Sequence, residues 1–217
     1  MEILANLPLM VFRISDTGGN QGIENYPVKD THELLFVLAC VLLRNLKREI
    51  AYDALFTGLE KILHQLPFTE FKNSKIFVHP EKIFAHEKVI VDAASAPESV
   101  FGLSIIFSGL GMEADIKGIE NYSTGTEAGQ IACLQRVLYR LNINTDFCGG
   151  SKFKVYNNNK VIKAPDYCLK FSAELFPSWL LMPLAIKTGS LILFLDETVI
   201  KQKEGLINAG GLVMEHN

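Results

Sequence analysis

The pentapeptide Gly22-Ile23-Glu24-Asn25-Tyr26 recurs letter for letter as Gly118-Ile119-Glu120-Asn121-Tyr122. At the same offset of 96 residues, Leu38 aligns with Leu134, Val41 with Val137, Leu42 with Leu138 and Arg44 with Arg140. Those later matches fall at helical spacing, as one buried helix face would require. The reading is of two related halves, 1–96 and 97–217, each a loop leading into a buried helix, joined in one compact unit. The stretch Ala93 to Ser99, small, polar and proline-bearing, is taken as the joint between them.

Around the first copy, Leu9 to Ile14 reads as a strand and Asp16 to Gly22 as a glycine-rich loop. Asp30 with Glu33 makes a capping box for a helix running to about Arg48, apolar on every face at its centre and so expected between layers. A second helix is expected over Tyr52 to Leu66, stopped by Pro67, with strands at Lys75 to His79 and Lys88 to Asp92. Around the second copy, Val100 to Ser108 reads as a strong strand, followed by a strand from Glu113 to Ile119. Thr124 with Glu127 offers another capping box, for a helix over Thr126 to Leu141. Hairpins are expected for Lys152–Tyr156 with Lys160–Lys163, and for Trp179–Ile186 with Ser190–Leu195. A terminal helix spans about Thr198 to Asn208. The class is α+β: a mostly antiparallel sheet with packed helices, an arrangement that two pseudo-symmetric βα halves would give.

Composition narrows the function. A chain of 217 residues with 48% hydrophobic and 21% charged residues is an ordinary globular protein. A net charge of −3 disfavours a general nucleic-acid binder, which needs a basic footprint. Cys40, Cys133, Cys148 and Cys168 form no Cys-x-x-Cys pair, which suits a reducing compartment. Met1 to Leu9 lacks a basic leader, and the longest apolar run, Leu34 to Leu43, is about half the ~20 residues that span a bilayer. A cytoplasmic chain without membrane partners is expected.

For chemistry, Glu24 with Asn25 and Glu120 with Asn121 would converge on one cleft if the loops meet across a pseudo-twofold axis. The plainer reading is that glycine makes the turn, isoleucine and tyrosine anchor the loop, and the polar pair faces water. Ser123 and Thr124 open a Gly- and hydroxyl-rich helix start that could hold an anion, although it lacks a P-loop lysine and Glu127 would repel phosphate. His79 and His86 bracket a turn and with Glu81 or Glu87 could hold a metal, although surface histidines in a charged loop are far commoner, and Cys148 has no histidine predicted beside it. No metal and no cofactor is expected.

Met182-Pro-Leu-Ala-Ile-Lys-Thr-Gly-Ser-Leu-Ile-Leu-Phe-Leu-Asp196 resembles the closing hairpin of GAF-type small-molecule sensor domains. The helix ending Leu134 to Leu141 and the strand Lys152 to Tyr156 precede it in compatible order. The resemblance covers about residues 125–210. Ile192 stands where such domains usually have glycine, the turn is one residue short, and no binding residue carries over. What it implies is a regulatory or binding module. Two functions follow. The first is a non-catalytic binding, sensory or assembly protein, homo-oligomeric or a subunit of a larger complex, as a mean hydropathy of +0.19 suggests. The second is a small-molecule enzyme with its site where the repeated loops meet, using Glu24, Asn25, Glu120, Asn121, Ser123 and Thr124.

Overall fold

A computed structural model describes residues 31–43, 48–51, 57–72, 75–85, 88–156, 169–170, 178–181, 183–184 and 193–194. The first described element is helix α1, Thr31–Leu43. Every residue from Leu34 to Leu43 is buried, as a helix apolar on all faces demands. The helix was expected to reach Arg48, yet Arg48 already opens β1, Arg48–Ala51. Helix α2, Thr57–Leu63, follows, then strands β2, Thr69–Lys72, and β3, Lys75–Val78. These strands form an antiparallel sheet in the order β1-β3-β2.

The second sheet crosses the expected boundary between the halves. Strand β4, Lys88–Asp92, precedes the 96/97 joint, and it pairs in parallel with β5, Glu113–Lys117. Helix α3, Val100–Leu110, connects them. The stretch expected to be a strand here is therefore a helix, buried from Val100 to Gly109. Valine, isoleucine and phenylalanine favour strands only weakly, and burial on all sides erases the alternation that would tell the two apart. The helix ends in a Schellman motif. Gly111 sits at φ 71°, its N–H donates to the Ser108 carbonyl, and the Met112 N–H donates to that of Phe107.

Helix α4, Gly125–Arg140, follows the second pentapeptide. It ends the same way as α3, with Asn142 at φ 65° in place of glycine and the Ile143 N–H donating to the Leu138 carbonyl. The expected capping box does not form: Thr124 makes no side-chain cap bond, and Glu127 instead accepts from the Thr126 hydroxyl. Strands β6, Thr145–Cys148, and β7, Lys152–Val155, complete the sheet in the order β4-β5-β7-β6. The hairpin partner of β7 is thus β6, turned through Gly149 and Gly150 at φ 60° and 70°, and not a strand after the asparagines. Residues 160–163 lie outside the described residues.

Where a hairpin was expected near the C-terminus, Ser178–Leu181 forms a 3-10 turn. Strand β9, Leu193–Phe194, pairs in parallel with β8, Leu169–Lys170. The strand expected over 9–14 and the helix over 198–208 lie outside the described residues.

Helix α1 packs on the first sheet and α3 on the second, and the two helices pack on each other. Both are thereby enclosed between sheets, which is why neither shows a polar face. Glycine permits the close crossing: a Cβ on Gly102 would lie 2.5 Å from the Leu35 Cβ. The α+β class holds, with antiparallel pairings in the majority. The matched positions Leu38, Val41, Leu42 and Leu134, Val137, Leu138 are all core. Among the described residues, no helix is long and apolar enough to cross a membrane.

Candidate functional site

The described copy of the pentapeptide follows β5 and forms a 3-10 turn, Glu120–Ser123. Glycine is required at its head. Gly118 has φ 76°, and a Cβ there would meet the Ala94 backbone nitrogen at 2.5 Å. Ile119 and Tyr122 are buried, and Tyr122 meets Phe101 edge-on with ring centroids 5.6 Å apart. Burial pushes the Tyr122 phenol up to about 12, with Glu98 and Glu127 adding to the shift. Glu120 and Asn121 face water. Ser123 is exposed and its hydroxyl donates to the Glu120 carbonyl at 2.7 Å, while Thr124 is exposed at the helix start. Glu24 and Asn25 lie outside the described residues.

Other singled-out residues have local partners. The His79 Nδ1 lies 3.1 Å from Glu81 and its Nε2 3.3 Å from Glu70. His86 and Glu87 lie outside the described residues. The Cys148 thiol donates to Asp146 at 3.0 Å, and this bond to a carboxylate raises its pKa above the usual thiol range. Among the described residues, Cys40, Cys133 and Cys148 are in no disulfide. On the second sheet, the Lys88 ammonium lies 3.2 Å from both Asp115 and Glu113. Its hydrogen bonds to Asp115 and then to Glu113 raise its pKa. Lys152 approaches Asp115 at 3.8 Å and Lys154 approaches Glu113 at 3.7 Å, so these side chains form a mixed-charge lattice.

Among the described residues, a concave feature lies at the other end of α4. A cleft of about 550 Å³ opens between the C-terminal half of that helix and the β6–β7 hairpin. The helix supplies Gln135, Arg136 and Tyr139; the entry to β6 supplies Asn144, Thr145 and Asp146; Tyr156, just after β7, completes the lining. The core face of α4 is Ile131, Leu134, Val137 and Leu138, so Tyr139 is out of phase with it. Tyr139 is 74% exposed, whereas the Lys154 ammonium lies 4.4 Å from the centroid of the Tyr156 ring. The cleft thus offers aromatic surface, a guanidinium, amides, a hydroxyl and one carboxylate. None of these seven residues was singled out from the sequence. The available signal was Tyr139, an aromatic on the polar side of an otherwise regular amphipathic helix. No family model, curated protein or solved structure matches the chain.

Proposed function

We propose that the protein is a non-catalytic binding module that takes a small ligand, a planar ring carrying an anionic group, in the cleft beside α4. The observation that carries this reading is the exposed Tyr139 ring in the same cleft as Arg136. An aromatic face supports ring stacking, and a planar guanidinium grips a carboxylate or phosphate through paired hydrogen bonds. Gln135, Asn144 and Thr145 add donors and acceptors that would select among ring edges. The cleft falls within the 125–210 span over which the chain resembles GAF-type sensors, and that resemblance points toward ligand sensing as well.

Titration with AMP and with 4-hydroxybenzoate, followed by calorimetry and amide chemical shifts, tests the reading. Saturable binding of at least one is expected, with shifts at Tyr139 and Asn144. Tyr139→Ala and Arg136→Gln should each weaken it by about tenfold or more, the equivalent of one lost charge-assisted bond or stacked ring. Both side chains are exposed, so the melting temperature of the free protein should hardly move. Failure of both probes to bind, or binding indifferent to both substitutions, would refute the proposal.

A further inference from the structure

The outer edge of the second sheet is β4, Lys88-Val89-Ile90-Val91-Asp92. Its backbone groups alternate in direction along the strand. The Asp92 N–H donates to the Gln65 Oε1 at 2.7 Å, and the Gln65 Nε2 donates to the Asp92 carbonyl at 3.0 Å. The next residue, Ala93, donates inward to the Lys117 carbonyl of β5. The N–H and C=O groups of Lys88 and Ile90 therefore point outward with those of Asp92. No described strand lies beyond them.

At the centre of this edge Ile90 is 55% exposed. A free edge is a template for another strand, and proteins usually blunt it with lysine, proline or a covering segment. Among the described residues, Gln65 covers the Asp92 end. An exposed β-branched side chain at the midpoint is the opposite of edge protection.

We propose that β4 is a self-association edge that pairs antiparallel with β4 of a second copy, about a twofold axis through Ile90. The strand is self-complementary in that register. Lys88 stands opposite Asp92 of the second copy, Val89 opposite Val91, and Ile90 opposite Ile90. Opposite charges directly across a strand pair attract, and the apolar pairs pack. Parallel pairing would set Lys88 beside Lys88 and Asp92 beside Asp92, so the charges select the antiparallel arrangement. A contact of this kind is isologous and closes at two copies. Gln65 acts as a latch: when the backbone of Lys88 from the second copy takes its place, the two bonds to Asp92 are exchanged rather than lost. The inference rests on this edge and not on the ligand cleft, so the two fail separately.

Sedimentation equilibrium over a dilution series, with residue-resolved amide exchange on the same samples, tests it. The expected result is a monomer–dimer equilibrium. Ile90→Lys should raise its dissociation constant by at least about tenfold, because two lysines would then oppose each other at the axis. Gln65→Ala should lower the constant by freeing Asp92. In the unmodified protein, the Ile90 amide should be protected at high concentration and exchange freely on dilution, while the inward Val91 amide stays protected throughout. A monomer at every concentration, a dimer that Ile90→Lys leaves intact, or an Ile90 amide indifferent to concentration would overturn the proposal. Should the lysine variant melt abnormally, the amide measurement decides alone, since it needs no substitution.

Discussion

Gly102→Ala tests the helix crossing at the centre of the fold. The added Cβ would sit 2.5 Å from the Leu35 Cβ and 2.8 Å from its Cδ1. Carbon atoms rest at about 3.5–4.0 Å, so the shortfall is about 1 Å or more. A new rotamer of Leu35 could withdraw the Cδ1 but not the Cβ, which is fixed to the α1 backbone. One helix must therefore shift inside a close-packed interior, which costs about 1–3 kcal/mol. A backbone-tethered clash belongs at the upper end of that range. Alanine returns roughly 1 kcal/mol through its better helix propensity, leaving a net loss of about 2 kcal/mol. Gly129→Ala in α4 is the internal control, because nothing lies within 4 Å of its added Cβ. It should stabilise by about 0.5–1 kcal/mol. Urea unfolding of both variants, read at unchanged m-value, should place them about 3 kcal/mol apart with opposite signs. Equal stabilities, or a Gly102→Ala protein more stable than its parent, would mean that α1 and α3 do not cross as closely as described.

Three further outcomes are expected. Leu38→Ala and Leu42→Ala should each cost about 2–5 kcal/mol in the same assay, since both side chains are enclosed. Native thiol labelling near neutral pH should leave Cys40 untouched and modify Cys148 slowly, because its bond to Asp146 holds the thiol protonated; Asp146→Asn should accelerate it. In an ultraviolet titration one tyrosine should ionise near 12, and Tyr122→Phe should remove that step. An unfolded tyrosine ionises near 10, so the preference for neutral Tyr122 leaves stability intact below about pH 10 and erodes it as pH rises toward 12.

How much of the fold was legible depends on where burial is one-sided. Helix α4 shows one apolar stripe, and its limits are readable to a residue or so because water and core impose a 3.6-residue period. Strand β4 alternates exposed and buried residues for the same reason. Helix α3 has core on every side, so Val100 to Leu110 carries no period and its β-branched residues mislead. Two signals were nonetheless present: eleven residues is long for a strand, and Gly111 followed by Met112 fits a Schellman stop. Strand β6 failed for another reason. Thr145-Asp-Phe-Cys148 is short and mixed, and only the paired glycines after it mark the hairpin.

The site was harder to read than the fold, because the two kinds of feature obey different rules. In the second Gly-Ile-Glu-Asn-Tyr loop, each letter has a local cause: Gly118 for its backbone angle, Ile119 and Tyr122 for anchoring, and a solvated polar pair between them. A loop that can be explained letter by letter need not be kept for chemistry, so repetition alone is weak evidence of a site. Tyr139 and Ile90 have no such local cause. Both are large apolar side chains set against the phase of their own elements and left in water, and nothing in helix or strand geometry asks for them there. Both proposals place a second molecule at such a residue, a ligand at the first and another copy of the chain at the second. Recognising them required the phase of each element first, and for β4 also its place at the edge of a sheet, which the sequence pattern does not carry.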